Sequence, residues 1–196
     1  MWRHGENEGQ NGRWARTVRV ERATRADGMT GASDSGLPPV RRIVTGHDAA
    51  ACAIFKSDDL FPTLAIPSGD AAFALVWTTA TVPADNNDET DGRLRDAGLT
   101  IDQGSVIRIV DMLPGSTSPF HRTNSIDYGI VLSGEVELEL DDGAKTTIGA
   151  GGIVVQRGTN HLWRNSSTDT PCRIVFVLIE APAYLHDGVA LKEHKP

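Results

Sequence analysis

Two histidines, His121 and His161, each stand inside a short polar cluster, and strands and tight turns separate the two clusters. The first cluster has the spacing G-x5-H-x-T-x3-D-x6-G, from Gly115 through His121, Thr123 and Asp127 to Gly134. The second reads G-x2-H-x3-N, from Gly158 through His161 to Asn165. An imidazole titrates near neutral pH and can take or give a proton, and a buried carboxylate can fix its tautomer or carry the second proton transfer. Such a set suits dehydration, isomerisation, cyclisation or decarboxylation of a small oxygenated molecule. Thr123 and Tyr128 could donate hydrogen bonds to a carbonyl or phenol oxygen. Arg108, in an otherwise apolar strand, could grip a carboxylate through both arms of its guanidinium, although a charged residue there is also expected to face solvent.

The elements that must position these groups are strands. Residues two apart on a strand share a face, so His121 pairs with Thr123, and His161 with Trp163 and Asn165. Asp127 joins His121 if the strand runs on without a bulge. Trp163 reads as a wall of the pocket, and Asn165 as the holder of a turn or strand end. From Ser105 the chain is a series of short strands: SVIRIVDML, DYGIVL, EVELEL, KTTI, GIVVQ, HLWRN and CRIVFVLIE. In EVELEL, Glu135, Glu137 and Glu139 alternate with Val136, Leu138 and Leu140, the period-two mark of a strand with one wet face. The Asp142-Gly143 pair predicts a hairpin, because glycine supplies the positive φ such turns need. Residues 174–179 are apolar on both faces, which predicts a strand covered on both sides. Many short strands between Gly and Pro turns define an all-β sandwich, jelly roll or barrel.

Upstream, Ala71 to Val82 reads as a strand ended by Pro83. Arg41–Val44 and Ala51–Phe55 read as short strands joined by a turn at Gly46-His47-Asp48. The polar stretch 84–99 does not fit a calcium loop, since the twelfth position counted from Asn87 is Gly98 where glutamate is required. It reads as a solvated loop, with a lid over a pocket mouth as the alternative. Residues 1–28 hold six arginines and four acidic groups with no apolar stretch of a secretory signal, so 1–39 is expected to be a disordered or extended arm. A domain over 40–182 and a tail over 183–196 complete the division.

With 196 residues and a formal charge of −7, the chain suits one domain with an appendage and offers no basic surface for nucleic acid. No apolar run reaches the roughly 18–20 residues that cross a bilayer, so no membrane partner is expected. Cys52 and Cys172 fall in no metal or redox spacing, which fits a reduced, cytoplasmic setting.

Together the two clusters resemble the paired motifs of the cupin superfamily, G-x5-H-x-H-x3-E-x6-G and G-x5-P-x-G-x2-H-x3-N. Thr123 stands at the second histidine, Asp127 at the glutamate, Gln156 at the proline and Ala150 at the opening glycine of the second motif. The resemblance implies a double-stranded β-helix, or jelly-roll, barrel whose interior holds the matching residues. It also implies a divalent metal such as iron, zinc, manganese or nickel on His121, Asp127 and His161, with Thr123 in place of a nitrogen ligand; without that ion, no cofactor is expected. Cupins of this size often form homodimers, which suits the two-sided strand 174–179. The expected function is a lyase or isomerase acting on a small oxygenated metabolite. An iron-dependent dioxygenase and a non-catalytic small-molecule-binding barrel are the alternatives.

Overall fold

The computed structural model describes residues 33–195, and among them nearly every regular element is a strand. β1 (Val40–His47) and β2 (Ala53–Phe61) form a hairpin, followed by β3 (Leu64–Ala65) and β4 (Ala71–Thr79). After a long connection come β5 (Ser105–Met112), β6 (Ser125–Ser133), β7 (Glu135–Leu140), β8 (Lys145–Gly149) and β9 (Ile153–Arg157). β10 (His161–Arg164), β11 (Cys172–Glu180) and the short β12 (Leu185–His186) and β13 (Val189–Ala190) complete the order. All pairings of these strands are antiparallel: one sheet runs β3-β4-β5-β11-β6-β9 and a second runs β10-β7-β8. This is the expected all-β jelly roll. No helix among the described residues is long and apolar enough to cross a membrane.

The core lies between the two sheets, where Val136, Leu138 and Trp163 meet Val106, Val110, Met112, Val131, Ile174, Phe176 and Leu178. EVELEL behaves as its alternation requires. Val136 and Leu138 are buried, while Glu137 and Glu139 lie on the other face and pair with Arg164 and Lys145. The turn after it is a single 3-10 turn in which Asp142 and Gly143 both take positive φ, 59° and 74°, so glycine serves the purpose the sequence suggested. β11 is buried on its inner face, and on the outer face Val175 is covered by the patch of Phe61, Ala74 and Ile109.

Three details differ from the sequence reading. β1 runs on through Gly46 and His47, and the turn falls at residues 48–52, because the Asp48 carboxylate accepts from the amides of Ala50 and Cys52 at 2.8 and 2.9 Å. β2 accordingly begins at Ala53 and extends to Phe61. Secondly, tertiary contacts begin before Val40. Ser35 Oγ and Thr63 Oγ1 donate to the fully buried Asp111 carboxylate at 2.6 and 2.7 Å, and Arg173 grips the same carboxylate at 2.6 and 2.7 Å. Arg173 also donates to the Pro38 carbonyl at 2.7 Å, so this clasp ties residues 35–38 to β5 and β11. Thirdly, the connection between β4 and β5 is not a free loop. Arg42, buried in β1, bridges Asp59 and Asp91, and Thr78 Oγ1 donates to the Gly92 carbonyl at 2.6 Å.

Candidate active site

A cavity of about 480 Å³ opens between the two sheets, a size suited to a small ligand. Its walls are mostly apolar, with Phe73, Val110, Met112, Trp163, Phe176 and Leu178 prominent, and its polar groups include His121, Thr123, Asp127, Gln156, His161 and Arg108.

The two histidines come together through the backbone. The amide of each donates to the carbonyl of the other, at 2.9 and 3.0 Å, in an antiparallel bridge that extends the second sheet by the segment around residue 121. Their rings lie 4.2 Å apart between centroids. Nδ1 of His121 lies 2.9 Å from the Pro119 carbonyl, and Nδ1 of His161 lies 2.9 Å from the Thr159 carbonyl. A carbonyl can only accept, so Nδ1 carries the proton in both rings and each Nε2 keeps a bare lone pair. Burial pushes the His161 pKa down to about 4, helped by the neighbouring charges of His121 and His194. His121 is lowered as well, mainly by burial and also by His194. Burial therefore favours the neutral form of both rings.

Asp127 reaches the same cavity from the other sheet. In β6 the residues Ser125, Asp127, Gly129 and Val131 point inward. His121 and Asp127 do not share one continuous strand, as the unbulged reading supposed. The chain bends at Asn124 and crosses from the second sheet to the first, so the two meet across the cavity's corner. Burial raises the Asp127 pKa to about 6, against the opposing pull of the Ser125 and Thr123 hydroxyls. Thr123 is buried and accepts from Ser125 Oγ at 2.8 Å.

The other expected residues divide. Trp163 is a cavity wall, edge-on to Phe176 at 5.5 Å. Asn165 braces the chain: its Nδ2 donates to the carbonyls of Met112 and Thr170 and its Oδ1 accepts from Ser167 N. Tyr128 does not reach the cavity. Neighbours on a strand point to opposite faces, and with Asp127 inside, Tyr128 is 39% exposed on the outer surface. Arg108 is not solvent-facing. It is 8% exposed, lines the cavity and donates to the carbonyls of Gly98 and Leu99, which brings the loop before β5 against the pocket. Desolvation lowers its pKa to about 10.

Sequence reasoning passed over two residues. Gln156 sits directly opposite Asp127 on β9, its side chain buried in the cavity. The alternation of GIVVQ, with Ile153 and Val155 exposed, could have placed it there. His194 had no local signal. Its backbone pairs with Arg122, and its Nε2 lies 2.9 Å from Asn160 Oδ1, beside the histidine pair.

In type, two bare imidazole nitrogens and a carboxylate match the donors preferred by divalent iron, zinc, manganese or nickel. In placement they do not: among the described residues no three His, Cys, Asp or Glu side chains converge to hold an ion. The residues as placed do not fit a three-ligand centre.

A jelly roll with two histidines and an acid facing inward from the two motif segments is a cupin architecture, and the chain belongs to the cupin superfamily: the family model described as "Cupin domain" matches residues 108–178. Phomopsin biosynthesis cluster protein C' of Diaporthe leptostromiformis is 42% identical over 158 residues, covering 76% of this chain and 83% of that protein. The cupin-domain-containing oxidoreductase fogC of Aspergillus ruber is 35% identical over 152 residues, covering 74% of this chain and 75% of its own length. Among solved structures, the polyketide cyclase RemF from Streptomyces resistomycificus is similar at 20% identity with a TM-score of 0.40, over 56% of this chain and 64% of that one.

Proposed function

We propose that this cupin is a small-molecule enzyme of lyase or isomerase type, which moves a proton within an oxygenated metabolite bound in the barrel. One observation carries the reading: two buried imidazoles whose Nδ1 atoms face backbone carbonyls share an apolar cavity with a buried carboxylate, and burial lifts that carboxylate's pKa to about 6. A group that titrates close to the working pH is the best matched to take a proton and return it. In this scheme Asp127 removes a proton from a carbon beside a carbonyl and delivers it to a neighbouring carbon or oxygen, so atoms and electrons balance without an oxidant. The Nε2 atoms of His121 and His161 accept hydrogen bonds from substrate hydroxyls, Thr123 adds a hydroxyl contact, and Trp163 supplies an apolar wall. Arg108, which lines the same cavity with its Nε unpaired, anchors a further oxygen. Membership of the phomopsin biosynthesis cluster by a 42% identical relative favours a metabolite as the substrate class.

The test is deuterium wash-in from D2O into a panel of apolar hydroxyketones, read by mass spectrometry. Wild type should incorporate deuterium, and His161→Ala and Asp127→Asn should lose about a hundredfold or more in rate while keeping the wild-type circular dichroism. No incorporation by wild type, or full incorporation by His161→Ala, would sink the reading. The second outcome would relocate the chemistry, and the first would favour a non-catalytic binding barrel.

A second reading, a metal-dependent oxidoreductase such as an iron dioxygenase, is favoured by the names of relatives such as fogC. It requires an ion on His121, His161 and Asp127, which would supply Lewis acidity and redox chemistry. Elemental analysis of untagged protein decides it: less than about a tenth of a metal per chain after reconstitution excludes that chemistry.

We also propose a homodimer. The outer face of β6 and β9 exposes Ile126, Tyr128, Leu132, Ile153 and Val155, and the hairpin exposes Phe55 at 73%. Large apolar side chains left exposed on one sheet face of a folded domain favour a partner.

A further inference from the structure

Among the described residues, five buried side-chain polar atoms have no hydrogen-bond partner, and three of them, Asp127 Oδ1, Gln156 Nε2 and Arg108 Nε, belong to residues lining the cavity. Asp127 and Gln156 are each 4% exposed and are register partners on β6 and β9. Directly opposed residues of an antiparallel pair hold their Cβ atoms about 4.5–5.5 Å apart, so a carboxylate and an amide lie side by side here. The amide could satisfy the carboxylate, yet neither is bonded to the other. Asp127 Oδ1 is an acceptor without a donor and Gln156 Nε2 a donor without an acceptor, among mostly apolar walls, and a buried polar group left unmet costs about 1–3 kcal/mol.

We infer that Gln156 is a specificity-determining residue and that the cavity takes an apolar molecule bearing a hydroxyl and a carbonyl on adjacent atoms. The carbonyl accepts from Gln156 Nε2 and the hydroxyl donates to Asp127 Oδ1. A ligand with both groups satisfies both orphans at once, and a ligand with one leaves the other buried and unmet. A carboxylate ligand is the poorer match, because it would set its lone pairs against those of Asp127. Phe73, Trp163 and Phe176 supply flat walls for the body of the ligand. This rests on the cavity being a small-molecule site and not on the proton-transfer step.

The test uses three related probes, titrated calorimetrically into the full chain with excess EDTA so that chelation of an ion plays no part. 2-Hydroxy-1-indanone carries both groups, 1-indanone lacks the hydroxyl and 2-indanol lacks the carbonyl. Wild type should bind the first about tenfold or more tightly than either of the others, the factor expected for one buried hydrogen bond left unmade. Gln156→Leu should erase the preference over 2-indanol and keep that over 1-indanone, and Asp127→Leu should do the reverse. A wild-type preference below threefold overturns the inference, as does a Gln156→Leu protein that keeps the preference over 2-indanol. If a variant fails to fold, the wild-type series alone decides. Hydroxyketone preference without deuterium exchange would keep this ligand class and discard the acid–base reading; exchange without the preference would do the opposite.

Discussion

Replacing Asp127 by asparagine keeps the shape of the side chain and removes its charge, and the structure sets how stability should respond to pH. In the folded protein burial raises the carboxyl from 3.8 to about 6. At about 1.4 kcal/mol for each factor of ten, that difference is worth about 3 kcal/mol. Its sign follows from proton uptake. Between pH 3.8 and about 6 the folded state holds a proton that the unfolded chain has released, so raising the pH through this window destabilises the fold, and above it the whole deficit remains. The two histidines work the other way. Their folded pKa values lie below 6.5, that of His161 at about 4, so their contribution to stability is lost as pH falls through that range. Both proteins share that trend, and it cancels to first order in the difference. Urea unfolding of wild type and Asp127→Asn in EDTA, from pH 3.5 to 8, should therefore show the variant gaining on wild type by about 3 kcal/mol across the range. A difference that stays flat within about 0.5 kcal/mol would mean that Asp127 is not desolvated, and the acid–base assignment would fall with it.

Other consequences can be checked in parallel. Asp111→Ala removes a fully buried carboxylate that serves Ser35, Thr63 and Arg173, stranding a guanidinium that is itself only 11% exposed; denaturation should show a loss of about 3–5 kcal/mol, and a loss under 1 would refute the clasp. In Gly129→Ala the new methyl would lie 2.9 Å from Phe176 Cε1, so the ring must move toward the cavity. Stability should drop by about 1–3 kcal/mol and probe affinity should fall, whereas unchanged binding would show that Phe176 does not bound the ligand space. Ile153→Glu and Val155→Glu place charges on the exposed apolar face, and sedimentation should shift from dimer to monomer; a wild type that already sediments as a monomer ends the dimer proposal.

Where the sequence was informative, the signal was local and periodic. The alternation in EVELEL, the Asp142-Gly143 turn and the doubly apolar 174–179 each describe what a few neighbouring residues need, and each appears in the fold. His121, Thr123, Asp127, His161 and Trp163 meet in one cavity, as the two clusters suggested. Tyr128 was misplaced although strand parity already opposed it to Asp127, and the same parity pointed to Gln156. What stayed hidden depends on distant segments meeting. Arg108 is buried because carbonyls about ten residues upstream fold over it, and His194 reaches the histidine pair only because the tail pairs with Arg122. No window of sequence contains those contacts.

The inward and outward order of β6 also limits how such a gene can change length. Asp127 faces the cavity and Ile126, Tyr128 and Leu132 face outward, so a single codon gained or lost inside β6, between Ser125 and Asp127, would turn the strand over. It would send the acid to the surface and an aromatic ring into the barrel, erasing the pocket and the apolar outer face in one event. Length variation in this strand should therefore come in pairs of codons or sit beyond Ser133, which makes parity, more than identity, the trait inherited here.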